Sequence, residues 1–294
     1  MHYTEPVMRP PTEAYSVLIE ATAGCSHNKC TFCGAYRETP FAAAPMEQIE
    51  HDIREAGAYY RSPKRVFLLS GDAFVLPYER LAQIADLVQQ YLPTVETICM
   101  FSTIPDIGRK TDEQLRSLVQ KKVNFLYLGT ESGDQDVLDA VNKGYSVDEA
   151  LKQIRRLEKV GIHYFTSFIT GITGDDREAG LRHARRTAAF LNQLHPDFVG
   201  SSSLSIFDNT EIGEAVRSGR FHVASEAQML GETREMLAHL HTPTFFFGAH
   251  ASNMVPVNGR IPESKEAMLE KLDEAISRMN AAGFHERYNR DGRM

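Results

Sequence analysis

The sequence predicts an α/β fold, a partial (β/α)6 barrel of parallel strands with a C-terminal helical extension. Two observations carry that prediction. Apolar, β-branched or aromatic runs recur at Ser16–Thr22, Arg65–Leu69, Thr97–Ser102, Phe125–Gly129, His163–Thr170 and Phe198–Ile206. The intervals between them have the period of amphipathic helices, and strands alternating with helices form parallel βαβ units. Six such units are too few for a closed eight-stranded barrel, so the sheet is expected to be open or partial.

The helical intervals follow in order. Pro45–Tyr60 opens on a proline and sets Met46, Ile49, Ile53 and Ala56 along one face. Tyr78–Tyr91 holds Leu81, Ile84, Ala85 and Val88 in register. Thr111–Val123 begins Thr-Asp-Glu-Gln, a capping-box pattern. Ser146–Val160 has Ser146 as cap, Glu149 three residues on and Gly161 as stop. Asp176–Leu194 is a long basic and apolar helix that ends before His195-Pro196. Beyond Ile206 the alternation weakens. Ser225–His241 and Pro262–Ala282 read as helices, with Phe245–Phe247 a short apolar run between them. No Gly/Ser linker sets this tail apart. Residues 1–210 are therefore expected to form the barrel core with its N-terminal arm, and residues 211–294 a helical cap of the same domain.

Composition narrows the function classes. A hydrophobic fraction of 42% and a charged fraction of 24% over 294 residues are those of a soluble globular protein. The net charge of −7 opposes a nucleic-acid backbone. The N-terminal stretch lacks an apolar signal segment and no run has membrane-spanning length, so no membrane partner is expected. Of four cysteines, three are clustered, which suits a reducing, cytoplasmic setting better than a disulfide scaffold.

Those three, Cys25, Cys30 and Cys33, lie in one polar loop just past the first strand, spaced C-x4-C-x2-C. Thiolates at that density bind a soft metal, either tetrahedral zinc or an iron–sulfur cluster. Zinc would need a fourth ligand. His27 lies inside the loop, where neighbouring ligands are hard to arrange tetrahedrally, and Cys99 lies far along the chain in a strand, where it reads as a small buried hydrophobe. A cubane with three cysteine ligands instead leaves one iron open to a substrate or cofactor.

A three-cysteine loop after the first strand, with the aromatic Phe32 just before the last cysteine, resembles the radical S-adenosylmethionine (radical SAM) superfamily. Its commonest spacing is C-x3-C-x2-C, so the additional residue between Cys25 and Cys30 marks a variant branch. Further stretches match in chain order. Ser70-Gly71-Asp72 stands where the family has a glycine-rich turn that contacts the amino group of S-adenosylmethionine. Ser102 ends the third strand, where one branch has an acidic cofactor contact. Leu128 to Gly133, followed by Asn142-Lys143-Gly144, resembles the fourth-strand motif of oxygen-independent coproporphyrinogen oxidase-like proteins. The resemblance implies that Glu131 touches the ribose and Lys143 faces the methionine carboxylate. Thr166 to Gly174 resembles the fifth-strand adenine motif, with Ser167, Ile169 and Gly171 in the matching places. Taken singly, each is as well explained by a turn, a solvated charge or a core residue; their order at successive strand ends is what points to a ligand site.

The resemblance covers about two thirds of the chain, Ser16 to Ile206. It implies an enzyme in which a [4Fe-4S] cluster reductively cleaves S-adenosylmethionine to a 5′-deoxyadenosyl radical that abstracts hydrogen from a small-molecule substrate. It also implies an external one-electron reductant, flavodoxin- or ferredoxin-like. Two other classes stand beside it: a cluster-bearing electron-transfer protein without S-adenosylmethionine chemistry, and a zinc-binding interaction module. In the tail, Gly248 to Asn253 resembles a stretch of poorly characterised Fe–S oxidoreductases and makes His250 and Asn253 candidate substrate residues, unless the loop is wholly structural.

Overall fold

The computed structural model describes residues 1–281. The last residue of the expected helix Pro262–Ala282, and the end of the 211–294 cap, lie outside the described residues. All six expected strands form: β1 (Val17–Glu20), β4 (Arg65–Leu69), β5 (Thr97–Ser102), β6 (Val123–Glu131), β7 (His163–Thr170) and β8 (Phe198–Ser203). Between β1 and β4 lie two short strands, β2 (Thr22–Ala23) and β3 (Ala42–Ala43), which pair with each other.

The expected helices are α1 (Met46–Tyr59), α2 (Tyr78–Tyr91), α4 (Asp112–Gln120), α6 (Val147–Val160), α7 (Arg177–Leu191), α9 (Glu226–His239) and α10 (Lys265–Ala281). Three short ones were not foreseen: α3 (Ile104–Gly108), α5 (Gln135–Ala140) and α8 (Glu211–Arg217), each too brief to show a period. Local chemistry sets the boundaries. Thr111 and Gln114 form the reciprocal cap of α4, and Ser146 Oγ accepts the Glu149 amide at the start of α6. Gly161, at φ +83°, ends α6, with the Ile162 amide donating to the Leu157 carbonyl.

The tail departs from expectation. The run at Phe245–Phe247 belongs to a strand, β9 (Thr244–Phe247), parallel to β8 with Phe198 opposite Phe245. Strand β10 (Asn258–Ile261) then pairs antiparallel to β9. The strand order is β1-β4-β5-β6-β7-β8-β9-β10 in one eight-stranded sheet; β1, β4, β5 and β6 pair in parallel, as do β7, β8 and β9, and β10 is antiparallel to β9. The fold is a partial (β/α) barrel.

Two compact units divide the described chain. The first holds Met1–Asn28, Tyr36–Gly129 and Lys152–Tyr164; the second holds Lys29–Ala35, Thr130–Leu151 and the chain from Phe165 onward. In the first, the alternation of β4, β5 and β6 turns Phe67, Phe101 and Tyr127 to one face, edge to face at 5.4–5.8 Å. The N-terminal arm delivers Glu13 beside them, fully buried. Its carboxylate accepts from Arg65 Nη2 at 2.6 Å, Arg65 Nε at 3.1 Å and Tyr127 Oη at 2.5 Å, and from Ser16 Oγ. Burial works against its charge, but the bonds from Arg65, Ser16 and Tyr127 outweigh it and lower the carboxyl's pKa.

In the second unit, Val137, Val141, Ile169, Ile172, Leu204 and Ile212 make one apolar cluster against which Phe32 packs. Across β7, β8 and β9 a second face carries Phe165, Phe198, Phe245 and Phe247, with centroids 5.8–6.5 Å apart along the row.

Truncating Glu13 should leave the partly exposed Arg65 and the buried Tyr127 hydroxyl without their acceptor. Glu13→Ala is expected to lower unfolding free energy in urea by about 1–3 kcal/mol; a loss under about 0.5 kcal/mol would show the contacts to be dispensable.

Candidate functional site

The cysteine loop runs between β2 and β3 without regular structure of its own, so neighbouring groups must satisfy its backbone. In the second unit, the turn that ends α5 grips its later half. The Thr31 amide donates to the Val141 carbonyl at 3.1 Å, and Asn142 Nδ2 donates to the Lys29 carbonyl at 3.0 Å. The start of α8 grips it again: the Ile212 amide donates to the Thr31 carbonyl at 3.0 Å. Gly34 makes this approach possible, because a Cβ there would lie 2.7 Å from Phe207 and from Asn209 Oδ1. Phe32 thereby reaches the apolar cluster with Ile169, and Cys30 and Cys33 flank it, both half-buried.

The same unit brings the expected charged residues together. Glu131 ends β6 at φ +62°. Ser167 Oγ on β7 donates to its Oε2 at 2.7 Å, and Lys143 Nζ lies 3.7 Å from its Oε1. Lys143 and Glu131 are 10% and 14% exposed, so each charge depends on the other. Burial disfavours the ammonium, but Tyr145, Cys30, Glu131 and Cys33 around it outweigh that and raise its pKa. Burial likewise pushes the Cys33 thiol up; the Cys30 sulfur adds to the rise and Lys143 opposes it. The sequence reading missed Tyr145. Its hydroxyl donates to the Thr130 carbonyl at 3.1 Å, and burial raises its pKa.

Gly171, at φ +76°, ends β7. Its amide donates to Glu232 Oε2 at 2.9 Å. Glu232, on α9, is 3% exposed, and burial raises its pKa to about 7 against the single bond from Gly171. The available signal was a glutamate inside the apolar stripe Met229, Thr233, Met236.

In the first unit the expected residues turn toward the chain itself. Gly71 lets β4's end meet the loop, since a Cβ there would fall 2.7 Å from Cys25 Cβ, and its amide donates to the Gly24 carbonyl at 3.1 Å. Asp72 is fully buried and accepts the Ser26 amide on both oxygens, at 3.0 and 3.1 Å, together with Ser26 Oγ. Burial raises its pKa to about 6 in spite of those bonds. Ser70 Oγ donates to the Thr22 carbonyl and to Glu5 Oε1, at 2.5 and 2.7 Å. Ser102 Oγ donates to the Thr103 carbonyl at 2.9 Å. Cys99 is buried, its Sγ 3.3 Å from the Val66 carbonyl.

The loop after β9 is tied to the C-terminal end of β8. Asn253 Nδ2 donates to the Ser201 and Gly248 carbonyls at 2.7 and 2.9 Å, and its Oδ1 accepts from Ser203 Oγ at 3.0 Å. The Ser203 amide donates to Ser252 Oγ at 3.0 Å, and Ser252 Oγ lies 2.8 Å from His250 Nδ1. The Ser252 amide also donates to His250 Nδ1, at 3.2 Å. Nδ1 is therefore an acceptor, and a neutral His250 carries its proton on Nε2.

Comparison with known proteins adds to this geometry. The family model described as the radical SAM superfamily matches residues 19–186. An uncharacterized protein of Methanocaldococcus jannaschii is 24% identical over 281 residues, covering 90% of this chain and 84% of that protein. The tRNA-2-methylthio-N(6)-dimethylallyladenosine synthase of Bdellovibrio bacteriovorus is 27% identical over 183 residues, covering 60% of this chain but only 39% of the synthase. Among solved structures, methylornithine synthase aligns over 94% of this chain and 83% of its own at a TM-score of 0.54 and 16% identity. Coproporphyrinogen III oxidase of Escherichia coli, a radical SAM enzyme, aligns over 76% and 51% at a TM-score of 0.55 and 15% identity. At such identities the two structures share a fold with this chain. No helix among the described residues is long and apolar enough to cross a membrane.

Glu232 generates a pH prediction. Its folded pKa is raised, so the folded state keeps a proton that the unfolded state has lost. Stability therefore falls as pH rises from the unfolded value of 4.5 to about 7. The change is on the order of 3 kcal/mol. Glu232→Gln should flatten that part of the thermal-midpoint profile; an unchanged slope would place the carboxyl's titration elsewhere.

Proposed function

The chain belongs to the radical SAM superfamily, whose members are enzymes that use a [4Fe-4S] cluster and S-adenosylmethionine, and on that premise we propose that Cys25, Cys30 and Cys33 hold the cluster. The donor set fits the group. Three thiolates in one loop suit iron–sulfur ligation, and three protein ligands for four irons leave a coordination position for the cofactor. The observation that carries this reading is the joining, in one unit, of Ser167, Glu131 and Lys143, with the turn before Lys143 hydrogen-bonded to Lys29 and Thr31 on either side of Cys30. When bound, the cluster and S-adenosylmethionine supply one-electron cleavage to a 5′-deoxyadenosyl radical and hence hydrogen abstraction.

The protein's part is to bind, orient and exclude. Lys143 receives the cofactor's carboxylate, an ammonium opposite an anion. Glu131, fixed by Ser167, accepts from the ribose hydroxyls. Ser167, Ile169 and Gly171 border the adenine, with Glu232 holding the Gly171 amide. Phe32 anchors the cysteine loop and closes one side against the apolar cluster. Ser70, Gly71 and Asp72 shape the turn beside Cys25, and the polar end of Ser102 completes the strand-end row.

Family enzymes need an external reductant; the class proposed is flavodoxin- or ferredoxin-like. The bacterial synthase acts, by its name, on tRNA, but this chain spans 39% of it. A net charge of −7 favours a small-molecule substrate. His250 is then the residue of this loop proposed to meet that substrate, and Asn253, whose amide is engaged by the backbone, holds the loop in place. Membership of an enzyme family disfavours the zinc-module and electron-transfer readings.

Anaerobic reconstitution should give about four irons per chain, and dithionite should then turn S-adenosylmethionine into 5′-deoxyadenosine. Cys30→Ala should abolish that product; its persistence, or zinc without iron, would overturn the ligand assignment. Lys143→Met should weaken S-adenosylmethionine binding about 10- to 100-fold by calorimetry while keeping the iron. Unchanged affinity would remove Lys143 from the carboxylate site.

A further inference from the structure

The proposed cofactor site has an unfilled chemical role in the first unit. The turn Ser70-Gly71-Asp72 abuts Cys25, and the reading above sets the amino group of S-adenosylmethionine there. A carboxylate is the natural acceptor for that group. Asp72 is committed elsewhere: it is fully buried, and Ser26 occupies both of its oxygens through amide and hydroxyl. Its position in the motif supplies an acid, but its orientation spends that acid on the cysteine loop.

Another carboxylate reaches the turn from the N-terminal arm. Thr4 docks the arm on β1, its amide and hydroxyl donating to Glu20 at 2.8 and 2.9 Å. This sets Glu5 over the end of β4. Glu5 Oε1 accepts from Ser70 Oγ at 2.7 Å and from the Gly24 amide at 3.2 Å. Oε2 has only a long contact to the same amide, 3.4 Å. A carboxylate has about four acceptor positions, so Oε2 retains capacity. No lysine or arginine among the described residues forms an ion pair with Glu5. Beside it lies a void of about 10 Å³, the room of one water-sized group, bordered by Glu5, Glu20, Tyr36, Leu69 and Ser70; Glu20 already accepts from Thr4 on both oxygens.

We propose that Glu5 is the acceptor for the amino group of S-adenosylmethionine at the Ser70–Asp72 turn, so that an arm outside the family-matched residues 19–186 completes the cofactor site. The inference rests on the reading that this chain binds the cofactor beside Cys25. Three features support it together: a carboxylate that pairs with no lysine or arginine among the described residues, the small void beside it, and the hydrogen bonds that fix Glu5 to Ser70 and Gly24, the residues just before Gly71 and Cys25. Asp72 then acts as a positioning residue for the loop.

The test compares two ligands on iron-reconstituted protein: S-adenosylmethionine, and the analogue with hydrogen in place of the α-amino group. Glu5→Gln should raise the dissociation constant of S-adenosylmethionine about 10- to 100-fold and leave that of the analogue unchanged. Equal effects on both ligands, or none on either, would overturn the assignment. If Glu5→Gln does not fold, wild-type protein answers the question by hydrogen exchange. S-adenosylmethionine should protect the amides of Thr4, Glu5 and Gly24, and the analogue should not; the same exchange with both would overturn it. Iron-loaded wild-type protein that binds no S-adenosylmethionine would instead bring down the cofactor reading itself, an outcome distinct from wild-type affinity in the variant.

Discussion

A loop with no regular structure must have its backbone groups satisfied from outside, and that constraint organises this protein. The loop from Gly24 to Phe41 carries three cysteines and has neither helix nor strand of its own. Several of its amides and carbonyls are met by particular neighbours. In the first unit Asp72 takes the Ser26 amide, Glu5 takes the Gly24 amide, and Asn28 Nδ2 donates to the Tyr36 carbonyl. In the second, Val141, Asn142 and Ile212 hold Lys29 and Thr31. The short helices α5 and α8 make sense in this light: their ends, rather than their faces, are what the loop uses. Gly34 and Gly71 sit where a side chain would separate the loop from its supports.

The second theme is what each unit does with buried charge. Glu13 and Arg65 neutralise each other among aromatic rings and serve the fold. Glu131 and Lys143 also pair, but Ser167 fixes the carboxylate while nearby sulfur raises the demand for the ammonium. Among the described residues neither Asp72 nor Glu232 forms an ion pair, and burial raises their pKa values to about 6 and about 7. Each holds a backbone amide where the chain turns at a strand end, Ser26 for Asp72 and Gly171 for Glu232. Burying a lone carboxyl costs stability. That both carboxyls are engaged with strand-end turns, where barrels bind ligands, fits a role in shaping a site rather than in holding the fold.

Much of this was legible from residues alone, because periodicity and order are local properties. The six strands were readable from apolar runs, and the caps of α4 and α6 from single side chains. The position of Glu131 and Lys143 followed from motif order. Strand β9 was not readable, since four residues of mixed burial look alike as strand or loop; only its pairing with β8 decides. Orientation was equally hidden. Sequence supplies an aspartate at position 72 but not that it faces Ser26, and it supplies Asn253 but not that the backbone engages its amide. Glu5 and Glu232 belong to no recognised pattern; they matter through contacts 19 and 61 residues away along the chain, to Gly24 and Gly171.

The central claim is that three cysteines hold a cluster with one coordination position open to S-adenosylmethionine. Electron paramagnetic resonance of the dithionite-reduced, reconstituted protein tests it most directly. A cluster signal should be present without the cofactor, and adding S-adenosylmethionine should shift its g-values. A signal indifferent to S-adenosylmethionine would mean that no iron is open to the cofactor, and the account would be wrong at its core.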